Sequence, residues 1–507
     1  MIDFTIADDV GRRCLSDPAR TAIEIVGSQT RLSYADLWRR AGSMAGALAS
    51  APAGKWGALV ATLLPNGADA ALAFVACQLA ERVIVPLNWR LSDAELEYQL
   101  RDCDARVLLS SGALLERARA LAARLGSVHV IDAATIVDAA HGYRPGALGR
   151  DRGNEPCVVG YTSGTTGFPK GAVYSHDHYA LNNYRWGWEF GLTGDHVVLI
   201  TGPLFHISYA GFALAALTIG ARVRIMPEFE AAIAYDEFAQ RSSFAFLVPS
   251  MTAMLVDEWR GRGCAPMPAA RFILSAGAPL PRQLLEDALQ MFPNGRIAEI
   301  FGWTEGAYTS FEVKRADAIV PHCVGWPALG AEVRIFDEQG LPCPAGQPGE
   351  VGVRAATRFL GYLGRPEESA AAIRDGFTLS GDIGVLLDDG RLCIIDRKKD
   401  MIISGGENVY TAEVERVLLE DQRIAEAAVV GAPDPKWGEV VTAVVVARPG
   451  ASLTLESVRE HCRRQLAGYK LPQRLEVVEA LPRNSMGKVL KRALAQSLAA
   501  RGAAPGP

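Results

Sequence analysis

The stretch Tyr161-Thr162-Ser163-Gly164-Thr165-Thr166-Gly167-Phe168-Pro169-Lys170-Gly171 decides how the rest of the chain is read. It holds three glycines, four aliphatic hydroxyls (Thr162, Ser163, Thr165, Thr166) and Lys170. Glycine lets backbone approach an anion closely and reach positive φ. Successive N–H groups in such a loop form a concavity that binds anions. The hydroxyls add donors and Lys170 adds a charge, so the expected guest is a polyphosphate. The common P-loop needs Gly-x-x-x-x-Gly-Lys-Ser/Thr, whereas here Gly167 is followed by Phe168-Pro169-Lys170-Gly171. A plain Gly/Ser/Thr surface loop would have a similar composition. The order argues against it: the apolar pair Val158-Val159 leads in, and Phe-Pro-Lys-Gly follows the glycines.

Outward from this loop, the chain has 507 residues, more than one hydrophobic core serves, so at least two domains are expected. With 49% hydrophobic and 21% charged residues, the composition is that of a globular protein. A formal net charge of −5 argues against a nucleic-acid or anionic-membrane binder. No basic-then-apolar leader opens the chain, and no apolar run approaches the ~18 residues of a spanning helix. The nine cysteines show no Cys-x-x-Cys pair, which fits reduced thiols in a cytoplasm and no zinc site.

Residues 1–31 read as a lead-in segment. Ser33 reads as the N-cap of a helix over 34–48. Strands are expected at 56–64, 83–87, 107–109 and 128–131, with an alanine-rich helix to Leu79 and a capping box at Ser92-Asp93-Ala94-Glu95. This alternation predicts an α/β domain with parallel pairing. Tyr184, Trp186, Trp188 and Phe190 read as core packing. Further buried strands are expected at 197–200, 244–248 and 272–274, and short strands within 333–353 predict a small β-rich subdomain. The segment from Ile394 to Ile403 places Asp396, Arg397, Lys398, Lys399 and Asp400 between two apolar strands, which reads locally as a solvated hairpin tip. Beyond it, helices at 411–420 and 453–466 and strands at 424–430 and 440–447 predict a small α+β domain.

Taken together with Phe301-Gly302-Trp303-Thr304-Glu305-Gly306, Ser380-Gly381-Asp382, Asp396-Arg397-Lys398-Lys399 and Pro482-Arg483-Asn484-Ser485-Met486-Gly487-Lys488, the loop makes the chain resemble the adenylate-forming superfamily, in its acyl-CoA synthetase branch. The resemblance runs from about Leu32 to about Arg492. It implies a large N-terminal AMP-binding domain over 1–396, with parallel-rich sheets and a small β-rich subdomain. A hinge over 397–400 pivoting at Lys399 and a small mobile α+β C-terminal domain over 401–507 would follow. It gives the phosphates of ATP to Thr162, Ser163, Gly164, Thr165, Thr166, Gly167 and Lys170, with Thr162 also counted among the catalytic groups. Gly277, Ala278, Pro279 and Gly302 would wall the adenine, Phe301 would stack on it, and Thr304 would touch phosphate. Glu305 would hold Mg²⁺. Asp382 would take the ribose, a role that suits a carboxylate beside a glycine turn because it accepts two hydrogen bonds at once. Arg397 would reach ribose and phosphate. Gly405 and Gly406 would line the pantetheine path of CoA, and Trp437 would pack on CoA adenine or inside the small domain. His206 would border the substrate carboxylate, with Tyr209, Gly211, Trp303, Gly306 and Tyr308 lining the acyl pocket. Trp303 is bulkier than the family's usual residue there and would reshape that pocket.

The expected chemistry is attack of a carboxylate on the α-phosphorus of ATP, then capture of the acyl-adenylate by the thiol of coenzyme A. Lys488 would steady the charge that builds in the first step. The pocket residues offer no counter-charge besides His206, which favours an apolar aliphatic or aryl monocarboxylate as substrate. Two other readings are a ligase that loads a carrier-protein phosphopantetheine and a non-catalytic nucleotide-binding protein of the same fold. The location implied is cytoplasmic, with small molecules as partners, no nucleic acid, no integral membrane segment, and a homodimer left open.

Overall fold

The computed structural model describes residues 5–49, 52–136, 152–162, 168–315, 317, 320, 323–404, 407–434, 436–483 and 489–502. The chain forms two compact units. One comprises Met1–Val333 with Gly352–Ser380, and the other Arg334–Val351 with Gly381–Pro507.

The first unit is an α/β assembly built on two large sheets. One has seven strands, in the order Gly361–Tyr362, Lys170–Ser175, Pro156–Thr162, Val83–Pro86, Leu59–Leu63, Val107–Ser110 and His129–Asp132. The pairings from Pro156–Thr162 through His129–Asp132 are parallel, and the two at the other edge are antiparallel. The second sheet has nine strands. Its inner run of Arg296–Trp303, Phe272–Ser275, Phe244–Leu247, Val197–Ile200, Arg222–Ile225 and Thr21–Ile25 is parallel throughout. Strands such as Val107–Ser110 and Phe244–Leu247 are buried at every position, as expected of parallel strands covered on both faces. The helices Ala68–Leu79 and Ile207–Ile219 are apolar nearly all round and belong to the same core.

This topology places the candidate residues. In open α/β sheets ligands bind beyond the carboxyl ends of the parallel strands. His206 follows Val197–Ile200, Gly277 follows Phe272–Ser275, and Thr304 with Glu305 follow Arg296–Trp303.

In the second unit, Glu407–Val409, Ile402–Ser404, Gly438–Ala447 and Ile424–Asp434 form an antiparallel run, with Arg474–Val477 added parallel to Gly438–Ala447. Val414, Val417 and Leu418 of the helix Thr411–Leu419 and Val458 and Cys462 of the helix Leu455–Arg463 cover one set of strand residues. Leu494 of the helix Lys491–Gly502 joins Ala428, Val430 and Val444.

Some local expectations change. The lead-in segment contains a helix, Ile6–Ser16, opened by a capping box between Thr5 and Asp8, and the strand Thr21–Ile25. The segment around Arg397–Asp400 is not a hairpin tip. Leu392–Arg397 pairs with Phe377–Leu386, whereas Ile402–Ser404 pairs with Glu407–Val409 and Gly438–Ala447. Trp186 and Phe190 are core residues as expected, but Trp188 is 70% exposed. Cys14, Cys77, Cys103, Cys157, Cys264, Cys343 and Cys462 are free thiols. Among the described residues no helix is long and apolar enough to cross a membrane.

Candidate active site

The phosphate-loop stretch is framed by a β-ribbon. Pro156–Thr162 pairs antiparallel with Lys170–Ser175, and Thr162 stands opposite Lys170. Ser163, Gly164, Thr165, Thr166 and Gly167 lie outside the described residues. Lys170 is buried, with its ammonium 5.1 Å from the centroid of the Tyr362 ring. A Cβ at Gly160 would sit 1.9 Å from Ile207 Cδ1, so Ile207 at the start of the helix Ile207–Ile219 packs directly on the ribbon at the glycine. Both sides of the ribbon are tied to one cluster. The Tyr161 hydroxyl donates to Asp102 at 2.7 Å, and Arg365 donates to Asp102 at 2.9 Å and to the Tyr98 hydroxyl at 3.0 Å. Tyr98 in turn donates to the Pro169 carbonyl at 3.2 Å.

His206 caps the helix Ile207–Ile219. Its Nδ1 accepts from the Ser208 N–H at 3.3 Å, which assigns the proton to Nε2 in the neutral ring. Desolvation lowers the imidazole pKa to about 4. At neutral pH His206 is therefore a hydrogen-bond donor and carries no counter-charge. Tyr209 is fully buried, its ring 4.7 Å from Phe246 and its hydroxyl 3.6 Å from Met251 Sδ. A Cβ at Gly211 would lie 3.8 Å from the Asn183 and Tyr179 side-chain oxygens.

The segment after Arg296–Trp303 is held by close packing. A Cβ at Gly302 would meet the Ala307 carbonyl at 2.4 Å, and one at Gly306 would meet the Trp303 ring at 2.5 Å. Phe301 is partly exposed, 5.6 Å from Trp303, as a stacking surface must be. Thr304 is also partly exposed. Glu305 accepts a hydrogen bond at Oε1 from the Tyr362 hydroxyl at 2.7 Å. Gly277, Ala278 and Pro279 are exposed, and Gly277 has φ +90°. Tyr308 is buried, donates to Glu189, and carries the Arg185 guanidinium 4.2 Å from its ring centroid.

Within the second unit, Asp382 stands opposite Arg397 across the Phe377–Leu386 and Leu392–Arg397 pairing, with Arg397 Nε 2.7 Å from Asp382 Oδ1. Lys398 pairs with Glu350 at 2.7 Å, and Lys399 is exposed. Trp437 is 41% exposed with the Lys436 ammonium 4.7 Å from its ring centroid, so it is not part of a core. Gly405, Gly406 and Lys488 lie outside the described residues.

The chain matches the AMP-binding enzyme model over residues 11–363 and the AMP-binding enzyme C-terminal domain model over residues 413–488. This chain belongs to the AMP-binding enzyme family. A feruloyl-CoA synthase from Amycolatopsis sp is 36% identical over 485 residues, covering 95% of this chain and 96% of the relative. A fatty acid–acyl-carrier-protein ligase, ScoC from Streptomyces coeruleorubidus, is 35% identical over 439 residues, covering 82% of each. ATP-bound MatB from Rhodopseudomonas palustris superposes with a TM-score of 0.85 at 29% identity, covering 98% of this chain and 99% of that one. The resemblance to CoA ligases read from the sequence is thereby borne out, and ATP use is supported by the family and by this neighbour.

Several groups of this AMP-binding enzyme were not visible in its sequence. Tyr362 touches both Lys170 and Glu305, yet Gly361-Tyr362-Leu363 has nothing to mark it. Asp102, Arg365 and Tyr98 come from segments far from Tyr161 and Pro169, which they hold. Asp396 is 6% exposed and takes the start of the helix Thr411–Leu419: it accepts from the Thr411 N–H and hydroxyl and from the Ala412 N–H. Lys470 is paired with Glu413 at 2.6 Å.

Proposed function

We propose that this AMP-binding enzyme is an ATP-dependent, AMP-forming acid:CoA ligase acting on an apolar aliphatic or aryl monocarboxylate. The observation that carries the reading is that Lys170 and Glu305 both meet Tyr362, in a chain that also carries a neutral His206 just after the parallel strand Val197–Ile200 and whose relatives include CoA ligases.

In the first step a carboxylate oxygen forms a bond to the α-phosphorus of ATP, and the bond from that phosphorus to the bridging oxygen breaks, releasing pyrophosphate. Two anions must meet, so the site needs donors and positive charge. Thr162 to Gly167 and Lys170 would hold the phosphates, and Thr304 would add a hydroxyl. Glu305 would hold Mg²⁺. Its oxygen not engaged by Tyr362 suits a cation that is held by one or two carboxylates together with substrate phosphates. When bound, Mg²⁺ offsets phosphate charge. Gly277 to Pro279, Gly302 and Phe301 would seat adenine, Asp382 would accept from the ribose hydroxyls, and Arg397 would lie beside it. His206, neutral, would donate Nε2–H to the substrate carboxylate and leave the acyl pocket uncharged. Tyr209, Gly211, Trp303, Gly306 and Tyr308 would shape that pocket. Lys488 would bridge carboxylate and α-phosphate oxygens as charge develops, an interaction whose loss costs ~3 kcal/mol, roughly a hundredfold in rate.

In the second step the CoA sulfur forms a bond to the acyl carbon, the acyl carbon–oxygen bond breaks, AMP leaves, and the thiol proton goes to solvent. Gly405 and Gly406 would line the thiol's path and Trp437 would meet the CoA adenine. Domains over 1–396 and 401–507, turning at Lys399 within 397–400, would let Lys488 serve the first step only. ATP and CoA are intracellular substrates, which makes the cytoplasm the proposed location. A second reading, transfer to a carrier-protein phosphopantetheine, is favoured by the ScoC similarity. A panel of aliphatic and aryl acids with ATP and Mg²⁺, with and without CoA, tests the proposal. Pyrophosphate and CoA thioester together support it. Pyrophosphate with thioester formed only on a carrier protein selects the second reading, and no pyrophosphate from any acid rejects both.

A further inference from the structure

The geometry points to Tyr362 as the positioning residue that holds the two charged groups facing the ATP phosphates, Lys170 and Glu305, apart and correctly aimed. This rests on the proposed roles of those two groups. Its hydroxyl donates to Glu305 Oε1 at 2.7 Å, while its ring lies under the Lys170 ammonium at 5.1 Å from the centroid. One side chain thus engages the anion through its edge and the cation through its face. Lys170 and Glu305 make no ion pair with each other among the described residues.

That separation has a chemical purpose. A lysine and a glutamate in one half-buried pocket attract strongly, because the surrounding dielectric screens them poorly. Paired directly, the lysine would be less available to a phosphate and the carboxylate to a divalent cation. A phenol is suited to the spacing role. It donates to the carboxylate without adding charge, leaves the second oxygen open, and gives the ammonium a weaker π contact that a phosphate oxygen can replace.

The ring is fixed in place rather than free to swing. Gly361–Tyr362 pairs antiparallel onto Lys170–Ser175, with Tyr362 opposite Ala172. The Leu360 N–H donates to the Val173 carbonyl at 2.7 Å and the Leu363 N–H to the Gly171 carbonyl at 2.8 Å, so the Tyr362 backbone is locked to the strand that begins with Lys170. The Tyr362 N–H donates to Ser369 Oγ at 2.8 Å, and its carbonyl accepts from the Arg365 N–H at 3.1 Å. Arg365 is in turn anchored on Asp102. On the other side, the Phe359 N–H donates to the Glu305 carbonyl at 2.9 Å, fixing the glutamate backbone to the same segment. The Asp102–Arg365 pair is therefore the seat of the device and Tyr362 its working part.

The test is Tyr362→Phe in the full chain, with binding of MgATP and of AMP each measured by calorimetric titration. The substitution keeps the ring beneath Lys170 and removes only the hydroxyl. Loss of one hydrogen bond to a charged group predicts that MgATP binds about tenfold more weakly while AMP, which lacks the β- and γ-phosphates, changes less than about twofold. KM for MgATP rises by a similar factor, KM for the acid does not move, and the Mg²⁺ concentration for half-maximal rate increases. A merely structural role would weaken MgATP and AMP alike, and that result overturns the inference, as does unchanged MgATP binding. Asp102→Asn provides the second arm: loosening Arg365 predicts the same MgATP-selective loss at about threefold, and equal loss for AMP overturns the role of the seat. Wild-type protein that binds no MgATP at all would instead reject the proposed function.

Discussion

Replacing Asp396 by alanine should release the start of the helix Thr411–Leu419. The N-cap residue of that helix, Tyr410, makes no side-chain cap bond. Asp396, fifteen residues before Thr411, supplies the cap instead. Its carboxylate accepts from the Thr411 N–H, from the Thr411 hydroxyl at 2.9 Å and from the Ala412 N–H at 3.3 Å, and also from the Arg397 N–H at 2.7 Å. Losing an N-cap costs about 0.5–2 kcal/mol. Here the acceptor is a buried anion at the positive end of a helix, which adds about 1 kcal/mol or more. A total near 3 kcal/mol is about a hundredfold in a local opening equilibrium. Amide hydrogen exchange across residues 411–419 reads it directly: the Asp396→Ala variant should exchange about a hundredfold faster there, while the helix Ile207–Ile219 is unaffected. Asp396→Asn, which keeps one acceptor oxygen, should fall between. Exchange at 411–419 unchanged within about threefold in Asp396→Ala would refute the cap.

Lys488→Ala should slow acid-dependent pyrophosphate release about a hundredfold yet still convert supplied acyl-adenylate and CoA to thioester at the wild-type rate. Equal loss of both steps would contradict a lysine that serves adenylation alone. Stability should fall on acidification. His176 is 2% exposed and desolvation lowers its pKa from 6.5 to about 4, so the unfolded chain takes up a proton before the folded one does. Its contribution, roughly 3 kcal/mol, is complete above pH 6.5 and disappears as pH falls to about 4. Urea titrations at several pH values should show this slope, and His176→Gln should flatten it. Glu237→Ala leaves buried Arg224, which Glu237 binds through two oxygens at 2.6 and 2.7 Å, with Glu24 alone. The expected loss is about 3 kcal/mol of unfolding free energy, and a loss below about 1 kcal/mol would contradict it.

How much of this could be read from the sequence depends on how local the cause was. The Ser92–Glu95 capping box and the parallel strands at 83–86 and 107–110 were legible because capping and apolar runs act over a few residues. His206 was singled out by the family resemblance alone, and its neutral state comes from the packing around it. Asp396 read as one member of a charged cluster, because its partner helix starts beyond the next two strands. The purely local reading of Arg397–Asp400 as a hairpin tip, set beside the hinge that the resemblance implies, does not hold for a related reason: each flanking strand finds a different partner, a tertiary choice that alternation cannot reveal. Tyr362 carried no signal, since its role exists only once Lys170 and Glu305 are brought to either side of its ring.

The central claim is that a carboxylate oxygen attacks the α-phosphorus and later leaves with AMP. An acid from the panel, labelled with ¹⁸O in its carboxylate, should therefore be turned over with ATP, Mg²⁺ and CoA and the products weighed. The account predicts AMP carrying one labelled oxygen and unlabelled pyrophosphate. Label in inorganic phosphate with release of ADP, or thioester formed without any label in AMP, would contradict it.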